Sequence, residues 1–208
     1  MKRKRKKNNI IKIILIFAIL LIILLLVFKL FVPKPKEEIK VVDSISSYGY
    51  SLEDRDTELM KTTYNDLKVV LNESSIDMEA YATNLTKLFI IDLFTIDNKR
   101  NRYDVGGTEY VYPSAVNNFK LNAEDTIYKT VKTNSNGKRK QELPVVKNVT
   151  IDENILKNKF TIGDDEYDAY VINVTWEYEK NLGYDTKATI TCIEKEGKIF
   201  IVKYQVGE

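Results

Sequence analysis

Tyr170-Val171-Ile172-Asn173-Val174-Thr175-Trp176-Glu177-Tyr178 is the stretch that decides the fold. Apolar or aromatic side chains stand at 170, 172, 174, 176 and 178, opposite Val171, Asn173, Thr175 and Glu177. A strand placed here buries one face and leaves the other in water. The same two-residue period extends outward. Leu143, Val145, Val149 and Ile151 predict one strand upstream, and Leu156, Phe160 and Ile162 predict another that ends at Gly163-Asp164-Asp165. Downstream, Asn181-Leu182-Gly183 reads as a hairpin loop, and Ala188, Ile190 and Cys192 as the inner face of the next strand. Glu196-Gly197 turns the chain, and Phe200, Val202, Tyr204 and Val206 mark the last strand. Connections this short require antiparallel pairing, because a parallel crossover needs a dozen residues or more.

Before residue 137 the period is 3.6. Ser51-Leu52-Glu53-Asp54 has the form of a capping box and predicts a helix start, with Leu52, Leu59, Met60, Tyr64, Leu67 and Leu71 along one stripe. Val41 to Tyr50 reads as a short extended arm. A second helix is expected from about Asp77, with Tyr81, Leu85, Leu88, Phe89 and Leu93 on one side. Around Leu88–Phe94 it is apolar nearly all round, so that end belongs deep in the core. The Asp92–Gly107 region holds the densest mix of charge and glycine; it reads as a solvated connector, with a partner-contact loop as the alternative. Tyr110-Val111-Tyr112 looks like a short strand stopped by Pro113, which then opens a third helix carrying Val116, Phe119, Ala123, Ile127 and Val131 inward. The layout is α+β, with about three helices packed on a curved antiparallel sheet of four to six strands.

The N-terminus has a different character. Lys2, Arg3, Lys4, Arg5, Lys6 and Lys7 precede a block without a polar side chain from Ile13 to Phe28, including Leu20 and Leu26. Roughly 20 helical residues cross a bilayer core. Residues 10–32 meet that length if Lys12 and Lys29 snorkel, so they are expected to form a transmembrane anchor. The cations set the N-terminus in the cytoplasm, making 1–9 a basic cytoplasmic tail, 33–44 a linker and 45–208 an extracytoplasmic domain. A cleaved signal peptide is the competing reading, but its apolar centre is shorter and ends in a small-x-small site, which is missing after Phe28.

Charge follows this division. Ten of the 32 Lys and Arg residues lie in 1–36, which holds no Asp or Glu. The rest of the chain carries 22 basic and 30 acidic residues, and such an acidic domain is a poor match for a phosphate backbone, so no nucleic-acid partner is expected. No histidine occurs anywhere, which removes Ser-His-Asp and Cys-His nucleophiles and every His-containing zinc site. Cys192 is alone, so the domain has no internal disulfide. Gly163-Asp164-Asp165-Glu166 lacks calcium-loop spacing and reads as a hairpin turn. No cofactor and no metal are expected.

The order of elements, the Gly106-Gly107…Tyr110-Val111-Tyr112-Pro113 lead-in to the third helix and the terminal strands resemble the NTF2-like fold. With the anchor in front, the chain resembles membrane-anchored transfer-system subunits of the VirB8/TcpC type. That resemblance implies a non-catalytic assembly scaffold in the bacterial envelope, with the lipid bilayer and other envelope proteins, or a second copy, as partners. Other domains of the fold bind small ligands or act as isomerases in the cone between helices and sheet. Asp92, Tyr170, Trp176 and Tyr204 are the residues expected to line such a cone. Asp92, on the apolar second helix, is the one acid to nominate as a base.

Overall fold

The computed structural model describes residues 15, 17–24, 39–134 and 137–207. The chain divides into two units, Met1–Glu37 and Glu38–Glu208. In the first, residues 15 and 17–24 are helical and exposed, Leu20 among them. The basic run Lys2 to Lys7, and the anchor positions Ile13, Leu26 and Phe28, lie outside the described residues. Among the described residues no helix is long and apolar enough to cross a membrane.

The second unit is α+β. A hairpin of β1 (Val41–Ile45) and β2 (Tyr50–Glu53) precedes helices α1 (Glu58–Leu71), α2 (Met78–Phe94) and α3 (Val116–Asp125). Five strands follow: β3 (Val146–Ile151), β4 (Leu156–Ile162), β5 (Asp165–Tyr178), β6 (Lys187–Lys195) and β7 (Lys198–Val206). They form one curved antiparallel sheet in the order β3-β5-β6-β7. The long β5 carries both upstream strands: β4 pairs with its first half, from Asp165 to Val171, and β3 with its second, from Val174 to Tyr178.

The first hairpin corrects two expectations. Strand β1 begins inside the stretch read as linker 33–44, and Ser51-Leu52-Glu53-Asp54 is strand and turn rather than a helix cap. Tyr50 and Leu52 are buried together at strand spacing, and Gly49 takes φ +79° to close the hairpin. The capping falls to Thr57, whose hydroxyl accepts the Met60 N–H at 3.2 Å. Helix α2 starts where expected, and Asp77 caps it, accepting the Glu79 and Ala80 N–H groups.

Helix α2 is the centre of the core. Leu85, Leu88, Phe89, Ile90, Leu93 and Phe94 are all fully buried, against α1 on one side and the sheet on the other. Two chain segments differ from the expected pattern near it. Tyr110-Val111-Tyr112 is a 3-10 turn (Thr108–Tyr110) plus a single parallel bridge from Val111 to Ile201, because Pro113 cannot donate to a continuing ladder. Helix α3 ends at Asp125, before Ile127 and Val131, and the chain swings in so that Tyr128 is buried. The Tyr128 hydroxyl accepts the Gly106 N–H at 3.1 Å and donates to the Leu93 carbonyl at 2.7 Å.

The sheet keeps the expected inner face on β5, where Tyr170, Ile172, Val174 and Trp176 are buried. On β7 the phase changes partway. The register with β6 shifts between Thr191 and Cys192, so Ile199 and Ile201 are buried together with Cys192, while Phe200 and Val202 are only half-buried. An extra residue on one strand rotates everything beyond it to the other face.

Candidate functional site

The expected cone residues do not form one site. Tyr170 and Trp176 are six positions apart on β5, about 20 Å along a strand. Tyr170 lies near β4, with the Lys157 ammonium 6.0 Å from its ring centre. Trp176 lies under the C-terminal end of α2, with the Phe94 ring 4.7 Å from its own. Tyr204 joins that group, 6.3 Å from Phe94 and 6.2 Å from Phe89. The Trp176 indole N–H donates to the Tyr178 hydroxyl at 2.7 Å, which donates to the Asp185 carbonyl at 2.7 Å. Aromatic rings occupy this space between helix and sheet.

Asp92 points elsewhere. It is two residues from Phe94, about 200° around the helix, and faces the 95–109 segment. One carboxylate oxygen takes the Lys99 ammonium at 2.5 Å and the other takes the Gly107 N–H at 2.5 Å. The Lys99 side chain is only 2% exposed. Glycine is required at this contact: a β-carbon on Gly106 would lie 2.1 Å from the Asp92 carbonyl oxygen. Gly107 has φ +76°, and a β-carbon there would lie 2.8 Å from the Phe89 ring. The glycine pair lets the returning segment lie directly on α2.

The 95–107 segment is therefore a built wall, not the solvated connector expected from its charge. Ile96 N–H bonds the Pro144 carbonyl, and the largely buried Arg139 donates to the carbonyls of Asp97 and Lys99. Arg55 reaches in from the β2–α1 connection, pairing with both Asp104 oxygens and with Glu53. Burial works against the Arg55 charge, but the Asp104 and Glu53 carboxylates more than offset it and raise its pKa. Burial likewise opposes ionisation of Asp104, yet Arg55 and the Arg100 N–H hold it below the usual carboxylate range.

These groups enclose a cleft of about 180 Å³, with Ser51, Asp56, Met60, Thr108 and Glu109 completing its walls. Five carboxylates line it (Glu53, Asp56, Asp92, Asp104 and Glu109) against two cations, Arg55 and Lys99. Glu109 accepts the Ser51 hydroxyl at 3.0 Å and its N–H at 3.3 Å. Burial, with the nearby Asp92 charge, pushes Glu109 up to about 7. Burial also raises Asp56. Among the described residues no group of three or more acidic or sulfur side chains is placed to hold a metal ion. A second, shallower cavity of about 380 Å³ lies beside Tyr112, Lys198 and Phe200.

Of this cleft the sequence marked Asp92 and the two glycines. Arg55, Asp56, Lys99, Asp104 and Glu109 carry no motif; their positions are joined only by the fold. The residues hold no nucleophile–base pair, and the ion pairs already engage most of the charge. Comparison with protein families, with curated proteins and with solved structures finds no match.

Proposed function

We propose that this chain is a non-catalytic, single-pass membrane protein whose C-terminal NTF2-like domain acts outside the cytoplasm as an interaction and assembly scaffold, in the manner of VirB8/TcpC-type subunits. The Ile13–Phe28 apolar run behind six cations is the anchor in this reading, and it leaves the acidic domain close to the outer membrane surface. The observation that carries the scaffold role is the aromatic packing of Phe89, Phe94, Trp176 and Tyr204. Enzymes and cone-binding domains of this type need open space where these rings lie, whereas a scaffold works through its surface. The alternative, a sensing domain that uses the cone, would require those rings to swing apart.

Two measurements test the proposal together. Protease added to intact cells should degrade the domain, and crosslinking in intact cells should trap it with itself or with other envelope proteins. Protection of the domain in whole cells would reverse the topology. A domain that stays monomeric and uncrosslinked at native abundance would remove the scaffold role.

A further inference from the structure

The inference drawn from the cleft beside Asp92 does not depend on the tethered-scaffold role. Two observations bear on its occupant. Arg55 and Lys99 hold Glu53, Asp104 and Asp92, which leaves Glu109 and Asp56 without a cation among the described residues, so that part of the wall favours a positive guest. Lys99, buried and on the wall, uses one of its three N–H donors on Asp92, and among the described residues no other acceptor bonds its ammonium. A buried polar group left unpaired costs about 1–3 kcal/mol, and native proteins leave few of them.

We infer that the cleft binds a small organic ammonium compound that also carries a hydrogen-bond acceptor. The ammonium would sit between the Glu109 and Asp56 carboxylates, and the acceptor would take the remaining Lys99 donors. The volume suits an amino sugar, an amino alcohol or an amino acid, since a cavity of about 150 Å³ already takes a benzene-sized molecule. A free metal ion is disfavoured by the separation of the carboxylates among the described residues. An inorganic anion is disfavoured by the sign of the walls.

Titration calorimetry on the full chain in detergent, with glucosamine, ethanolamine and L-lysine as probes, tests this. N-acetylglucosamine is the neutral control. At least one amine should bind in the millimolar range or tighter, and the control roughly tenfold more weakly or not at all. Glu109→Gln should weaken binding roughly tenfold. Asp56→Asn provides the same reading if that variant fails to unfold cooperatively. Glu142→Gln, in an exposed pair with Lys180, should leave binding unchanged. Affinity for ethanolamine and L-lysine, whose amines stay charged throughout, should also fall as pH drops from about 8 to about 6, since Glu109 then gains a proton. The groups facing it are Asp92 from α2, Ser51 from β2 and Tyr110 from its own turn. Absence of binding by all three amines would overturn the inference. So would equal binding of the neutral control, or undiminished binding by the folded Glu109→Gln and Asp56→Asn variants. Binding only of lysine-containing peptides would overturn it in favour of a protein partner.

Discussion

Helix α2 has two differently filled sides near its C-terminal end. Toward the sheet, Phe94 meets Trp176, Tyr178 and Tyr204 ring against ring. Toward the 95–109 segment, Asp92 meets an ammonium, a backbone N–H and the edge of a charged cleft. The last turn of the helix thus supports a dry interface and a wet one. Dispersion and water exclusion hold the first, and both scale with contact area. The second depends on each charge having its partner, and replacing such a network by apolar groups is often neutral or stabilising. The contrast teaches that the sheet side is built for stability, whereas the cleft keeps charge that stability alone would not require.

The largest effect should come from breaking the dry side. Phe94→Ala removes a fully buried ring and should cost about 3–5 kcal/mol in urea unfolding. A loss under about 1 kcal/mol would mean that the rings are loosely packed. Gly106→Ala attacks the join between the two sides. With 2.1 Å between the added carbon and the Asp92 carbonyl, the segment must lift from α2, at a cost of about 3 kcal/mol. Next comes the charge pair. Lys99→Met leaves the Asp92 carboxylate without its cation and should cost about 2–3 kcal/mol. Adding Asp92→Asn keeps an acceptor for the Gly107 N–H and should recover at least half of that loss. If the double variant is no better than the single one, the pair is not acting through charge.

The smallest effect sharpens the comparison through pH. The Glu109 carboxyl sits near 7 when folded and near 4.5 otherwise. Between those values the unfolded chain has released the proton that the folded chain still holds. Stability should therefore decline as pH rises through that window and level off above it, by about 1–2 kcal/mol for this group. Glu109→Gln should flatten that slope, measured as urea midpoints at the two ends of the window. A variant with the wild-type slope would place the titration elsewhere.

Much of the α+β layout was legible because period-two and period-3.6 patterns are set by which face is buried. The strands of the β5–β6 region and the start of α2 near Asp77 followed directly. Ile199-Phe200-Ile201-Val202 did not reveal its phase, because four apolar residues in a row satisfy either face, and only the register against β6 decides. Ser51 to Asp54 misled because a cap motif is local, whereas burial of Tyr50 and Leu52 against the helices is not. The cleft was least legible. Arg55 and Asp104 are 49 residues apart, and nothing near either names the other. Asp92 was marked by an acid standing in an apolar helix, but the cone assigned to it with Tyr170, Trp176 and Tyr204 spread over too great a length of sheet.

Cys192 lies on β6, fully buried beside Thr86, and burial pushes its thiol up to about 12. Maleimide or a disulfide reagent reacts with thiolate, so the folded domain is a closed door to both. As the chain's single cysteine, this atom makes labelling rate a direct clock of how often the sheet and α2 part, in a test tube or on a living cell.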